Sequence, residues 1–571
     1  MSRTDRVRLL RNVLLLSLAG ILAMPLQAAS PSLTPVALSG TDGQFGPNLG
    51  PGVIFTALSG FQSVNNSNEL AFQATIRLTT GATRQGIWKA SSSGALSLVA
   101  LNGTSSPAGP DVAGASFSDL SRPILSENGL VGFSANYDAP SGAGSGLFID
   151  NDLSTPQAVA LLNTDGPLGP NLGPGVRFST FPLNDQLSAI TPFTADGVFT
   201  FVAPLTGAGV TPTNNAGVFQ ASTAGVTPVA RTGVTGALGP GLASGATFTG
   251  FASDANPVSP GQDAVAIRAN VTGGDINFFT QQGSWLMENA GPPNIVVQSG
   301  VSGSLGPQIP GTFTGLSRPS INSAGVVSFF GIVDAATSGA WRISPGGSPE
   351  PRVVTGTDGL LGPGLGTGVT FTSFPASFAG VFSNAGELFT RATIAGPGVT
   401  SANDTGIWRV SDSGVELIAR EGSLPTIAGL PAGATMSLGN LMTTDHGFIV
   451  GVLLQGPGLD EENNSAALSW SNGTFSLLVR TGDMVDVDPG AGEDLRRIQE
   501  FALFQNDPPS GADGLPRSFN ANGLVSMRLS FADGSNGIFT TVVPEPSGFV
   551  LASLAILAVL CVYGRRRNPL G

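Results

Sequence analysis

Hydrophobic residues along this chain occur in short alternating runs, separated by turns rich in glycine, proline and asparagine. Between the two ends, no long stretch repeats its apolar residues at the 3.6-residue period of a helix. Short alternating apolar runs bounded by glycine and proline are typical of strands. The pattern therefore predicts an all-β body, with helices only at the N- and C-terminal ends.

One recurring sequence pattern marks a turn followed by a strand. Its clearest copy runs from Asn322 through Gly325 to a small residue, Ser328, and an aromatic one, Phe329. Glycine and asparagine tolerate the left-handed backbone that a tight turn requires. Variant copies begin at Asn65, Ser126, Thr194, Ser383, Thr444 and Asn520, and a degenerate copy begins at Gly261.

Two further landmarks keep step with this turn. A glycine, an apolar residue and an aromatic one recur from Gly86-Ile87-Trp88 to Gly537-Ile538-Phe539, eight times if looser copies are included. A Gly-Pro loop, as at Gly362-Pro363, precedes a strand that begins with an aromatic residue such as Phe371. Each unit thus predicts four strands, named A to D here: the aromatic-initiated strand, the strand after the turn, the Gly-x-aromatic strand, and a short aliphatic strand.

The two ends of the repeat region complement each other. Pro35 to Leu38 has the character of a D strand but precedes the first A strand, whereas the last unit stops after its C strand at Val543. Four antiparallel strands per repeat suit a β-propeller blade, and the N-terminal strand could complete the last blade and remove two exposed edges. We predict an eight-bladed propeller over residues 29–543, with a string of β-sandwich-like modules as the alternative.

The N-terminal end predicts a secretory signal peptide over residues 1–28. Four arginines lie among the first eleven residues, and an apolar run extends from Val13 to Met24. Leu26-Gln27-Ala28 then provides a site for cleavage after Ala28, with Ala29 as an alternative. An uncleaved N-terminal anchor is the alternative, and in either case the body of the protein is exported.

The C-terminal end, residues 544–571, has three parts. Pro544-Glu545-Pro546 precedes an uncharged run from Ser547 to Gly564, and Arg565, Arg566 and Arg567 follow it. About 18 residues at 1.5 Å each span roughly 27 Å, close to the hydrocarbon thickness of a bilayer. The run therefore predicts one transmembrane helix, with the arginines on the cytoplasmic side as a stop. An ordinary membrane anchor would share the helix and the arginines, but not the Pro-Glu-Pro motif.

Pro544-Glu545-Pro546, the helix and the arginine triplet together resemble the PEP-CTERM sorting signal of Gram-negative bacteria. In that family an exosortase recognises and processes the signal. The resemblance implies an exosortase-like enzyme as a partner. It also implies anchoring in the inner membrane before processing, followed by a location at the cell surface or outside the cell.

The repeat body resembles the NxxGxxAF tandem-repeat proteins, a bacterial group described as choice-of-anchor because one repeat body carries different sorting tags. The resemblance covers most of the chain from Pro35 to Val543 and rests on repetition in phase. It implies surface display and supplies no catalytic residues.

Composition and charge limit the possible partners. Only 11% of residues are charged, while a hydrophobic content of 41% and 33 phenylalanines favour a packed core over disorder. Without the seven arginines and two acidic residues of the two ends, the formal charge of −13 becomes −18 for the exported part. Such a negative body argues against nucleic acid as a partner. The single cysteine, Cys561, lies in the C-terminal run, so the exported part has no disulfide.

Candidate chemistry is sparse. His446 is the only histidine, and without a second histidine or an exported cysteine it gives little basis for a zinc site or a catalytic triad. Asp483, Asp486 and Asp488 form the best candidate metal site, because closely spaced carboxylates can bind Ca²⁺. A solvated turn is the alternative, and no other cofactor is expected.

Two functions remain after these exclusions. The first is a non-catalytic surface or matrix protein for adhesion or exopolysaccharide contact, which the sorting tag favours. The second is a secreted propeller hydrolase or lyase acting on polysaccharide, with carboxylates at the central channel. The scarcity of histidine, lysine and cysteine favours the first.

Overall fold

A computed structural model describes residues 32–543, except 106, 152–154, 182–192, 243–244, 252–263, 289–290, 376–381, 384–385, 426, 445–446, 472, 490–491 and 504–516. The predicted signal peptide with Ala28 and the whole predicted sorting signal, residues 544–571, lie outside the described residues. Within the described part, no helix has both the length and the apolar character to cross a bilayer.

The described strands form eight antiparallel sheets, numbered here as blades 1 to 8. Blade 1 contains β2 (Ile54–Val64), β3 (Leu70–Arg77), β4 (Thr83–Ala90) and β5 (Leu96–Leu101). Blade 2 contains β6 (Ser116–Leu120), β7 (Ile124–Leu125), β8 (Val131–Ala139), β9 (Gly142–Asp150) and β10 (Gln157–Leu161). Blade 3 contains β11 (Val176–Phe178), β12 (Phe199–Gly207), β13 (Ala216–Ser222) and β14 (Gly225–Arg231). Blade 4 contains β15 (Thr247–Phe251), β16 (Ala264–Thr272), β17 (Gln282–Glu288) and β18 (Asn294–Gln298).

The second half of the chain repeats this order. Blade 5 contains β19 (Phe313–Leu316), β20 (Ser320–Ile321), β21 (Val327–Val333), β22 (Thr337–Ile343) and β23 (Glu350–Val354). Blade 6 contains β24 (Thr370–Ser373), β25 (Leu388–Ala395), β26 (Thr405–Ser411) and β27 (Gly414–Arg420). Blade 7 contains β28 (Thr435–Thr444), β29 (Gly447–Gln455), β30 (Ser465–Ser471) and β31 (Thr474–Arg480). Blade 8 contains β32 (Met484–Asp486), β33 (Leu495–Ala502), β34 (Leu524–Phe531), β35 (Asn536–Val542) and β1 (Thr34–Leu38). Short 3₁₀ turns, Gly166–Leu168, Gly236–Leu238 and Gly303–Leu305, precede blades 3, 4 and 5.

The N-terminal strand completes the last blade, as predicted. β1 pairs antiparallel with β35, with Thr34 opposite Thr540 and Leu38 opposite Gly537. Each of the eight hydrophobic clusters lies between two consecutive blades, and one of them joins Val36 and Ile538 of blade 8 to Phe55 of blade 1. The sheets therefore form a closed ring, and the alternative of separate β-sandwich modules is wrong.

The sequence landmarks meet inside each blade. In blade 1 the Trp88 ring lies edge-on to Phe55, with centroids 5.0 Å apart, and stacks on Phe72 at 6.3 Å. The indole N–H of Trp88 donates to the carbonyl of Pro47 in the Gly-Pro loop, at 3.1 Å. The same bond recurs in three other blades: Trp285 to Pro240, Trp341 to Pro307 and Trp408 to Pro363. The loop thus satisfies the buried indole, which would otherwise lack a partner.

The small residue of the recurring pattern faces the next blade. At this position in blade 2, a Cβ built on Gly132 would lie 2.6 Å from the Phe199 ring of blade 3. Real side chains do not approach this closely, so aromatic packing between blades requires a small residue here.

The asparagine of the turn links neighbouring blades. Asn65 Oδ1 accepts hydrogen bonds from the backbone N–H groups of Ser67 and Glu69, while its Nδ2 donates to Ser126 O of blade 2, at 3.0 Å. Asn520 of blade 8 donates in the same way to Asn65 O, at 2.7 Å. Ser126 accepts from Leu130 N but has no amide with which to reach blade 3. The asparagine side chain therefore both shapes the turn and forms a hydrogen bond to the next blade.

The antiparallel order gives the ring two distinct ends. We call the end with the B–C and D–A connections the BC face, and the end with the A–B and C–D connections the AB face. β1 begins, and β35 ends, at the AB face, since Thr34 lies opposite Thr540. Both ends of the described chain therefore leave the propeller on the AB face.

Candidate binding surface

Exposed large apolar side chains concentrate at the BC face. Of the eight among the described residues, seven lie in B–C or D–A connections or at the strand ends beside them: Phe278, Phe279, Ile332, Leu360, Leu453, Met484 and Leu495. The eighth, Val542, lies at the AB face. Of these, Phe278 and Phe279 contact each other. Adjacent exposed apolar groups often mark a binding surface, so the BC face is the better candidate.

Phe278 and Phe279 are adjacent in the B–C connection of blade 4. They are 77% and 71% exposed, and their rings lie edge-to-face with centroids 5.6 Å apart and an interplanar angle of 82°. Asn277 Oδ1 accepts from the backbone N–H of Phe279, at 2.9 Å, and of Thr280, at 3.2 Å. This Asx turn fixes the backbone that carries both rings.

The outer strand of blade 4 holds the same connection in place. Ser299 Oγ donates to Phe279 O at 2.6 Å, and Gln298 Nε2 donates to Thr280 O at 2.8 Å. Gly300 has a φ of +65°, and a Cβ there would lie 2.6 Å from Phe279 O. The two exposed rings therefore project from a backbone that is held on two sides, an arrangement that lowers the entropy cost of any binding through them.

The strand landmarks do not mark this pair, because it lies in the connection between strands B and C. The signal that could have found it is local: two adjacent phenylalanines follow Asn277 within a polar, glycine-containing turn. Aromatic residues at such a position have no strand to pack against.

The AB face carries charged groups that form ion pairs or hydrogen bonds across to the next blade. Lys89 Nζ lies 3.2 Å from Glu69 Oε1 and donates to Gly129 O of blade 2. Arg342 of blade 5 lies 2.8 Å from Asp412 of blade 6, and Arg352 also contacts Asp412, at 3.0 Å. These charges connect neighbouring sheets, which is a structural role.

The predicted calcium ligands lie in and beside the β32–β33 hairpin. Asp483 pairs with Arg480 at 2.6 Å, and Asp486 Oδ1 accepts from the backbone N–H of Asp488 and Asp494. In the described part of the chain, no three His, Cys, Asp or Glu side chains are placed to hold a metal ion. The three aspartates therefore do not form a carboxylate cluster. The calcium site stays a prediction, and the contacts of Asp483 and Asp486 fit the alternative, a turn. His446 lies outside the described residues.

A family model matches almost the whole chain. The family is described as a family of unknown function (DUF7453), and its model matches twice in tandem, over residues 27–302 and 294–550. Each match spans four blades. No curated protein matches the chain.

Several solved structures resemble the fold at low identity. The β-propeller domain of the Trilobed protease from Pyrococcus furiosus is 9% identical with a TM-score of 0.34, over 75% of this chain and 99% of that one. An acylaminoacyl peptidase from Pyrococcus horikoshii is 10% identical with a TM-score of 0.33, over 74% of this chain and 52% of that one, so the match spans about half of the peptidase. The six-bladed fungal lectin from Aleuria aurantia is 10% identical with a TM-score of 0.21, over 65% of this chain and 96% of that one. The propeller assignment rests on the strand order of this chain itself.

Proposed function

The chain belongs to the family of unknown function DUF7453, and from that premise we propose that it is an exported, non-catalytic binding protein of the cell surface. In this proposal the C-terminal sorting signal tethers the propeller by its AB face. The BC face then binds extracellular polysaccharide through Phe278 and Phe279.

The positions of the chain ends and of the aromatic pair carry the proposal. The described chain begins beside Thr540 and ends at Val543, both at the AB face. Phe278 and Phe279 lie at the opposite end of the ring. A membrane-bound tail after Val543 would therefore turn the aromatic pair away from the membrane.

The chemistry of the pair supports a sugar ligand. Aromatic rings provide a large apolar surface with few rotatable bonds, and one ring face can pack against the C–H face of a pyranose. The negative charge of the exported part favours a neutral glycan over nucleic acid or an anionic surface.

The test is binding of full-length protein, purified in detergent, to an array of bacterial polysaccharides. We expect the wild type to bind at least one of them and the double variant Phe278→Ala/Phe279→Ala to bind at least about tenfold more weakly, which corresponds to about 1.4 kcal/mol. Val542→Ala removes an exposed apolar side chain from the AB face and is the matched control, with unchanged affinity.

Absence of wild-type binding to every polysaccharide would contradict the proposed ligand class. Equal binding by the double variant would contradict the assigned surface. Folding of each variant is checked by its thermal unfolding midpoint, which should not change, because both phenylalanines are mostly exposed.

A further inference from the structure

Two polar side chains of one blade hold the inner strand of the next. In blade 2 the residue held is Leu120. Its backbone N–H donates to Gln85 Oε1 of blade 1 at 3.3 Å, and its carbonyl accepts from Gln73 Nε2 at 2.7 Å. Gln73 lies on strand B opposite Ile87 of strand C, and Gln85 precedes Gly86 on strand C. We call this arrangement the peptide clasp.

The peptide clasp recurs between blades 4 and 5. Leu316 N donates to Gln282 Oε1 at 2.9 Å, and Leu316 O accepts from Arg268 Nη1. Arg268 takes the strand B position of Gln73, and Gln282 takes the strand C position of Gln85. The same two positions thus supply both partners.

A variant joins blades 6 and 7. Arg391, at the strand B position, donates to Leu438 O at 3.1 Å. The strand C position is Thr405, and the neighbouring Glu421 accepts from Leu438 N at 2.9 Å instead. Polar side chains of blade 6 therefore still bond both the N–H and the C=O of Leu438.

Between blades 7 and 8 both clasp positions are truncated. The strand B position is Gly451, opposite Ala467, and the strand C position is Ser465. Thr481, which corresponds to Glu421, is bonded to Ser465 instead. The residue to be held is Phe501, which lies opposite Leu529 as Leu120 lies opposite Ala135. Among the described contacts, no side chain of blade 7 bonds the Phe501 peptide.

A cavity of about 370 Å³ occupies this place. Gly451, Ser465 and Phe501 line it, and a Cβ built on Gly451 would meet nothing within 4 Å. Its other walls are mostly apolar: Leu438, Met442, Ile449, Val452 and Leu503. Leu453, at the BC-face end, is 54% exposed. The volume lies in the range of small-molecule sites.

We propose that this cavity binds a ligand carrying a primary carboxamide on a short aliphatic stem, such as a glutamine side chain. Phe501 of blade 8 corresponds to Leu120 of blade 2, whose N–H and C=O face the preceding blade. The N–H and C=O of Phe501 therefore face blade 7 and the cavity. One carboxamide offers an acceptor and a donor along the same edge and can bond both. The apolar walls contact the stem.

Charged heads satisfy only half of this peptide. A guanidinium only donates and a carboxylate only accepts, so each leaves either the C=O or the N–H of Phe501 without a bond to the ligand. The carboxamide is also the group that Gln73 and Gln85 place at Leu120. This site is separate from the Phe278–Phe279 surface, and its test is independent of polysaccharide binding.

The experiment is calorimetric titration of the full-length protein in detergent with hexanamide, and with hexanoate as a probe of equal stem length. We expect hexanamide to bind and hexanoate to bind at least tenfold more weakly. Gly451→Gln should weaken hexanamide binding at least tenfold, because the new side chain occupies the cavity as Gln73 occupies its interface.

Gly250→Gln is the matched control. Gly250 is a half-buried glycine in the inner strand of blade 4, and a Cβ there also meets nothing within 4 Å. Its affinity for hexanamide should equal that of the wild type. Ser465→Gln rebuilds the other half of the peptide clasp and should also weaken binding at least tenfold, which keeps the test open if Gly451→Gln does not fold.

Three results would overturn the proposal. The first is absence of hexanamide binding to the wild type up to its solubility limit. The second is equal affinity for hexanoate and hexanamide. The third is unchanged hexanamide affinity in folded Gly451→Gln and Ser465→Gln.

Discussion

Asn322 shows how one side chain can serve both a turn and an interface. Its Oδ1 accepts from the N–H groups of Ala324 and Val326, and its Nδ2 donates to Phe382 O and Ser383 O of the next blade. Asn322 is only 1% exposed. Without its side chain, water could therefore not replace these hydrogen bonds. The asparagine of the recurring pattern therefore stabilises both its own turn and the contact with the next blade.

Asn322→Ser tests this double role. A serine can accept one turn bond, as Ser126 does from Leu130 N, but it cannot donate across to blade 6. We expect a loss of about 1–3 kcal/mol in the free energy of unfolding, measured by chemical denaturation. Asn215→Ser, the same change at an exposed position in the B–C connection of blade 3, should cost less than about 0.5 kcal/mol. Equal losses in the two variants would refute the interface role.

At the scale of elements, ion pairs at the AB face join the sheets that apolar clusters hold together. Asp412 of blade 6 contacts both Arg342 and Arg352 of blade 5. Burial acts to raise the pKa of Asp412, but hydrogen bonds and charge from the two arginines outweigh it and lower the pKa below the ordinary 3.8. A carboxylate with a lowered folded-state pKa contributes stability above its unfolded pKa, and this contribution is lost as the pH falls through the folded value.

A thermodynamic cycle of Asp412→Asn and Arg342→Gln should therefore depend on pH. We expect a favourable coupling free energy of less than about 1 kcal/mol at pH 7, because Asp412 is largely exposed. The coupling should vanish near pH 2, where the carboxylate is protonated. Unfolding free energies of the wild type, the two single variants and the double variant give the coupling. The same coupling at both pH values would contradict this assignment.

The strand arrangement was largely predictable from the sequence, whereas the candidate sites were not. The phased copies of the turn, of Gly86-Ile87-Trp88 and of the Gly-Pro loop predicted strands A to D, because each landmark acts on its own segment. The sequence pattern predicted only the turn role of Asn65. Its bond to Ser126 O joins two blades, and a local pattern does not show such a contact. The calcium site at Asp483, Asp486 and Asp488 stays a prediction, and spacing along the chain does not show that Arg480 contacts Asp483.

At the scale of the whole molecule, ring closure and the exit of both chain ends at the AB face set the orientation of a tethered propeller. The described part of the chain ends at Val543, immediately before Pro544. A tail that begins where the last strand ends can be removed without breaking any strand pairing in the described part of the chain.

Replacement of Pro544-Glu545-Pro546 by three alanines tests the sorting proposal. We expect an unchanged thermal unfolding midpoint and altered processing, measured by the mass of the mature C-terminus and the fraction released from cells. Replacement of the exposed Thr211-Pro212-Thr213, in the B–C connection of blade 3, by three alanines is a control for the mutation load. Unchanged processing would leave only an ordinary membrane anchor.

The sequence by itself determined the strand order, the number of blades and the closure by β1, because these follow from local patterns repeated in phase and from one complementary pair of ends. Only the tertiary structure decided which positions bear on binding. Gly451, Ser465 and Phe501 carry no shared local pattern, and their cavity exists because two short side chains face one peptide of the next blade. Phe278 and Phe279 likewise became candidates only when the ring placed them at the face opposite both chain ends.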